Sequence, residues 1–267
     1  MPDAHHVQDL ITDVRASVVR DVVYSPIGGE ALAHQVVRRI AEGIGVGILQ
    51  PGDRLPPEAR LASWLGVSVT VVREALSILR ETGYVETVRG AGGGTRVRQR
   101  PAAPTDDEAR TFLATFTPEH VSDFADLRVA ISGEAAALAA RRARADRLAQ
   151  VSQLATQMKN AADFATYREI DARFHIAISA SSGSARLATA EVRLQVELGE
   201  MLNAVHRLTP DMEIAAMIHT SDRDHEKIVR ALQARDPERS RSAVAAHVIG
   251  IRDLFIAVAP RRDQIQG

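Results

Sequence analysis

Residues 66–85 read Gly-Val-Ser-Val-Thr-Val-Val-Arg-Glu-Ala-Leu-Ser-Ile-Leu-Arg-Glu-Thr-Gly-Tyr-Val. Within them Val72, Ala75, Leu76 and Leu79 fall at i, i+3, i+4 and i+7, the spacing of one inward-facing helix stripe. Thr70, Arg73 and Ser77 share a second, polar face. Ser68 stands where an N-cap accepts a backbone N–H, and Gly83 ends the run to about Thr82. The polar face offers short donors and one guanidinium, with only Val69 and Val71 as apolar neighbours. Such a face suits the major groove of DNA, where Arg forks onto guanine or grips phosphate. Ser68 and Thr70 also sit at the helix N-terminus, where donors meet phosphate. On its own the stretch describes a solvated face just as well.

Order on either side adds to it. Upstream, residues 30–49 carry Leu32, Val36, Val37, Ile40, Ile44 and Ile48 on one side of a predicted helix. Gln50-Pro51-Gly52-Asp53 stops it with turn chemistry, and a short helix follows from Pro57 to Leu65, ended by Gly66. Downstream, Tyr84–Arg89 and Thr95–Gln99 read as two short strands joined by the glycine-rich tip 90–94. Helix, helix, recognition-type helix and glycine-tipped hairpin make a winged helix-turn-helix over residues 26–99.

Three further segments complete the chain. Residues 1–25 form an N-terminal extension with a predicted amphipathic helix over 7–23, read as packing on its own protein or a second copy. Residues 100–107, Arg-Pro-Ala-Ala-Pro-Thr-Asp-Asp, read as a linker. Residues 108–260 show only helical periodicity, with breaks near Thr117-Pro118, Ala143–Asp146, Ser181-Ser182-Gly183, Thr209-Pro210 and Asp236-Pro237. Six or seven helices are expected there, an α-bundle. The fold class is mainly α: an N-terminal winged helix-turn-helix plus a C-terminal all-α helical bundle.

Composition narrows the chemistry. Two domains suit 267 residues, and only 4% of them are aromatic. No cysteine is present, which excludes disulfides, thiolate metal sites and cysteine nucleophiles. Asp3, Asp9, Asp13 and Asp21 interrupt any signal-peptide core, and no run reaches membrane-spanning length. A cytoplasmic, nucleoid-associated protein with no membrane partner is expected. The net charge is −1, yet residues 28–100 hold ten Arg against seven acids, a weak local basic bias.

The N-terminal half closely resembles the GntR family of regulators. The matching residues are Ile48 through Glu58 (Ile-Leu-Gln-Pro-Gly-Asp-Arg-Leu-Pro-Pro-Glu), Leu61-Ala62, Gly66-Val67-Ser68, Val72 through Leu76, Leu79, Gly83-Tyr84-Val85, Arg89-Gly90 and Gly94 through Val97. The resemblance implies that Ser68, Thr70 and Arg73 contact the major groove and phosphates of double-stranded operator DNA. It implies wing contacts from Arg89 and Gly90. Three residues depart from the family pattern. Val69 stands where Arg is usual, Ala59 where some members have Arg, and Pro57 where Ser would cap. The lost charges predict weaker non-specific binding, a different operator, or more reliance on Arg73, Arg89 and Arg60.

In the C-terminal half, Asp171 and His175 lie four apart and so share a helix face. His225 heads the stripe Ile228, Val229, Leu232, and His247 lies within Val244, Ile251, Leu254. Any one inward histidine is ordinarily a satisfied core residue. Three, with a carboxylate, from three helices are costlier to bury, and together they form a donor set for a divalent transition metal such as zinc, nickel or manganese. The pattern resembles the sensor domain of FadR-like GntR regulators, an all-helical domain of the FCD type. That resemblance implies a metal on Asp171, His175, His225 and His247, a small organic acid beside it, and Arg128 as its carboxylate partner. Ser132 stands where the family often has Glu, which alters the pocket's polarity. His206 and His219 are read as surface or pocket-edge residues.

The expected function is a homodimeric, acid-responsive repressor. The alternatives are an architectural DNA-binding dimer with a structural metal and a metalloenzyme. The second lacks a His-Glu-x-x-His, a nucleophile elbow or a P-loop, and no enzyme is expected.

Overall fold

A computed structural model describes residues 32–90, 93–98, 105–208 and 214–258. The expected helix over 7–23 lies outside them, as do residues 100–104 of the linker and the break at Thr209-Pro210. The chain divides into two compact units, Met1–Ala102 and Ala103–Gly267.

In the first unit α1 spans Leu32–Gly45, α2 Glu58–Leu65 and α3 Val69–Glu81, followed by strands β1 Val85–Val88 and β2 Gly94–Val97. Helix α1 is shorter than its apolar pattern predicts. Gly47 adopts a left-handed conformation (φ 68°), and Leu49 N–H returns to the Gly43 carbonyl, closing the helix. Ile48 and Leu49 are still buried, so the periodicity marked the core correctly and the helix end wrongly. Helix α2 ends on Gly66 in the left-handed region, as expected. Pro57 sits at its N-cap position and provides no side-chain cap, also as expected.

Ser68 caps α3 by accepting from Val71 N–H at 3.2 Å. The predicted inward residues Val72, Ala75, Leu76 and Leu79 are all buried. Strands β1 and β2 pair antiparallel, with Val85 opposite Val97 and Val88 opposite Gly94. Gly93 is required by close approach, since a Cβ there would lie 2.4 Å from the Val88 carbonyl oxygen.

The second unit contains seven helices among the described residues: α4 Asp106–Leu113, α5 Pro118–Arg142, α6 Ala145–Lys159, α7 Phe164–Ser181, α8 Ala185–Leu208, α9 Ile214–Gln233 and α10 Pro237–Val258. Helix α4 begins inside the stretch read as linker, because Thr105 and Glu108 form a capping box. The break between α6 and α7 was not anticipated. There Asp163 caps α7 by accepting from Thr166 N–H at 2.7 Å.

Helix α5 is the spine of this bundle. Ala135, Ala136, Ala137, Ala139 and Ala140 are fully buried on it, and such small side chains let neighbouring helices approach closely. One apolar cluster joins α5, α6, α7, α9 and α10 around Phe174, Ile178, Ile228, Leu232 and Val248. A second joins Phe124, Leu194, Leu198, Met201 and Phe255. No single helix among the described residues is long and apolar enough to cross a membrane.

Candidate metal centre and DNA-facing helix

Five helices bring polar side chains into the core of the second unit: α5, α7, α8, α9 and α10. Asp171 and His175 come from α7, His225 from α9 and His247 from α10. All four are buried, and one ligand atom from each lies within 4.8 Å of the others. The four expected residues therefore converge, although the chain separates the first from the last by 76 positions. The Asp171 Oδ1 oxygen is 3.2 Å from His225 Nε2 and 3.7 Å from His175 Nε2. The His225 and His247 rings are 4.6 Å apart between centroids.

A self-satisfied cluster of histidines would hydrogen-bond internally. Here His175 Nε2, both ring nitrogens of His225 and His247 Nδ1 are buried without an aligned hydrogen-bond partner among the described residues. Orphaned imidazole nitrogens facing one carboxylate oxygen fit a divalent cation. Burial pushes His175 down to about 3, against the pull of Asp171. Burial also pushes His247 well below its ordinary value, with the neighbouring His225 and His175 acting in the same sense. Neutral imidazoles are the form that binds metal. For Asp171 burial alone would raise the carboxyl, but contacts with His225, His175 and Arg168 outweigh it and keep the group ionised.

Arg168, to which the sequence reading gave no role, is part of this centre. Its Nη1 donates to Asp171 Oδ2 at 2.7 Å, leaving Oδ1 for the imidazoles. Space for the guanidinium comes from Gly199, where a Cβ would lie 3.2 Å from Arg168 Nη2. The signal was present in the sequence as an Arg three residues before Asp171 on the same helix.

Arg128, expected as a carboxylate partner, is 1% exposed, on α5. Its Nε and Nη2 have no acceptor among the described residues. These two atoms share one edge of the guanidinium, the edge that forks onto a carboxylate. Burial disfavours the Arg128 charge, while Glu191 and Asp171 favour it. Arg128 also lines a small cavity whose wall is otherwise largely apolar, with Phe124, Leu198, Met201, Ile251 and Phe255.

Ser132 is buried one turn beyond Arg128 and donates to Glu191 Oε2 at 2.7 Å. A carboxylate from α8 thus lies against the hydroxyl of Ser132 on α5. Sequence reading missed Glu191 and its neighbour Gln195. Both lie on the buried face of α8, with Ala188, Val192 and Leu198, and polar residues recurring at i and i+4 on such a face are the signal. His206 is half-buried against Phe164, 4.4 Å between ring centroids. The His219 side chain lies outside those described.

On the first unit, Ser68, Thr70 and Arg73 are exposed along one side of α3, and Arg89 and Gly90 are exposed at the hairpin tip. Arg73 is tied to α2, its Nε 2.6 Å from Glu58 Oε2. Val69 is half-buried.

A winged helix-turn-helix followed by an all-helical domain with a buried three-histidine, one-carboxylate cluster defines a DNA-binding transcription regulator. Residues 32–97 match the family "Bacterial regulatory proteins, gntR family", and residues 123–250 match the FCD domain. The chain belongs to the GntR family and carries an FCD domain; it is a transcription regulator and not an enzyme. Among its relatives is RmpR of Mycobacterium gastri, named as an HTH-type transcriptional regulator. The two are 38% identical over 218 residues, 81% of this chain and 77% of that protein. The HTH-type transcriptional repressor NanR of Cronobacter sakazakii is 25% identical over 257 residues, 94% of this chain and 95% of that one. Among solved structures, E. coli McbR/YncC aligns over 85% of this chain and 99% of its own, with 22% identity and a TM-score of 0.48.

Proposed function

We propose that this regulator is a homodimeric cytoplasmic repressor whose affinity for double-stranded operator DNA is set by a small organic acid. The acid binds beside a divalent metal held by Asp171, His175, His225 and His247. The observation that carries this reading is the convergence of four buried ligand atoms within 4.8 Å, with orphaned imidazole nitrogens among them. The open Nε–Nη2 edge of Arg128 supports a carboxylate as the bound group. The metal would be zinc, nickel or manganese, each suited to nitrogen and oxygen ligands.

Ser68, Thr70 and Arg73 read or grip DNA in the major groove, and Arg89 and Gly90 follow the wing into the minor groove. A two-fold dimer then reads two half-sites of a pseudo-palindrome. The name of the NanR relative supports repression as the sign of control. An acid that binds one arrangement of the two DNA-reading units better than the other shifts DNA affinity by that difference and no more.

A thermal-shift screen of the purified protein against small carboxylic acids, with and without chelation, tests the reading. A ligand specific for the folded state raises the melting temperature by mass action. Stabilisation by an acid that chelation abolishes is the expected result. Stabilisation lost on chelation with no acid effect would mean a structural metal and would refute acid sensing.

A further inference from the structure

The wing carries a further cation, Arg54, which comes from outside the hairpin. Residues 53–55 lie along β2 as an edge segment. Leu55 N–H donates to the Thr95 carbonyl and Val97 N–H to the Asp53 carbonyl, each at 2.9 Å, and Arg54 pairs with Arg96. Residues directly opposite one another share a face of a sheet, as do residues two apart on one strand. Arg54, Arg96, Glu86, Gly94 and Val88 therefore lie on one face of the wing.

The Arg54 side chain does not stay beside its partner residue. A Cβ on Gly94 would lie 2.9 Å from Arg54 Nε and 3.4 Å from its Nη2, so the guanidinium stands over Gly94, two residues closer to the tip. Gly94, with φ 139° and no side chain, leaves that path open. Arg96 is engaged: its Nη1 donates to the Gly52 carbonyl at 2.9 Å, and Glu86 stands opposite it on β1. Arg54 is exposed and has no ion pair or side-chain hydrogen bond among the described residues. Like charges opposite one another on neighbouring strands are destabilising, and an anion at Arg54 offsets that cost. The sequence holds no acid from Arg89 to Arg98, so the tip end of the wing is cationic. Val88, 38% exposed, stands opposite Gly94 on the same face. An apolar side chain beside a free guanidinium suits the edge of a duplex, where deoxyribose carbons flank phosphate.

We propose that Arg54 is a phosphate ligand of the wing, gripping the backbone of double-stranded DNA beside the tip residues Arg89 and Gly90, with Val88 against deoxyribose. This rests on the reading of the wing as a DNA-contacting element and adds a contact that is indifferent to base sequence.

Fluorescence anisotropy of the full-length protein with a labelled duplex of arbitrary sequence, about 30 base pairs long, tests it across a salt series. Each phosphate neutralised contributes about 0.9 to the slope of log affinity against log salt concentration. Arg54→Met should lower that slope by about 0.9 for each wing on the duplex and weaken binding at low salt. Arg54→Lys keeps the charge and should keep the parental slope. An unchanged slope in Arg54→Met, with a reduced slope in Arg73→Ala or Arg89→Met, would overturn the Arg54 contact and leave the DNA-facing assignment standing. Equal loss in Arg54→Lys and Arg54→Met would mean that Arg54 shapes the wing over Gly94, and would also overturn the phosphate contact. Unchanged slopes in Arg54→Met, Arg73→Ala and Arg89→Met together would overturn both the contact and the placing of α3 and the wing on DNA.

Discussion

Arg168 Nη1 holds Asp171 Oδ2 at 2.7 Å, and this contact decides which carboxylate oxygen faces the histidines. Both groups are buried, and Oδ1 is left 3.2 Å from His225 Nε2. A partner that orients a ligating side chain is commonly worth 10–100-fold in metal affinity. Arg168→Met should therefore weaken metal binding by roughly that factor, measured by competition with a chromophoric chelator. Unchanged affinity in a folded variant would mean that Arg168 serves packing alone.

His225→Ala and His247→Ala each remove one of the four converging ligands. Either variant should lose bound metal on purification while its far-ultraviolet dichroism stays helical. Full metal content by elemental analysis in either would rule out the four-residue ligand set.

In the first unit the bond between Arg73 and Glu58 constrains an exposed guanidinium before DNA arrives. Arg73→Ala should weaken operator binding by about 1–3 kcal/mol in a titration at fixed salt. Glu58→Gln should leave a weaker effect, since it removes the restraint and not the contact. Operator affinity unaffected by Arg73→Ala would mean that α3 is not the reading helix.

Acid should destabilise the metal-free protein through its imidazoles. His175 titrates near 3 in the folded chain against an ordinary 6.5, and His247 is displaced in the same direction. Between those values the unfolded chain binds more protons, so stability is full above about pH 6.5 and falls as pH drops toward 3. Asp171 extends the loss, because its stabilising ionised form disappears only at still lower pH. Melting curves of chelator-treated protein from pH 7.5 to 5 check this, and a His175→Asn variant should show a shallower slope. A flat profile in the parent would show that the imidazoles are not held neutral.

Substitution of Arg128 separates acid binding from metal binding. Arg128→Lys keeps a charge and loses the fork, so acid-induced stabilisation should fall while metal content is retained. Loss of both together would place Arg128 in the structural support of the centre.

The sequence by itself determined much of this protein, because local signals are written in adjacent residues. The α3 stripe, the Ser68 cap, the Gly66 stop and the glycine-tipped hairpin each depend on side chains within a few positions of one another. So does the inward face shared by Asp171 and His175. The helix end at Gly45 was less legible: its apolar pattern runs on to Ile48 and Leu49, which are buried after the helix has stopped. Periodicity reports burial, and burial does not require helix. Only the tertiary structure decided what surrounds the buried charges. Glu191 meets Ser132 across 59 positions, and Gly199 gives Arg168 its room from another helix. Such pairings arise from how whole helices pack, since a buried polar group takes its partner from whichever element lies against it, and no spacing along the chain encodes that choice.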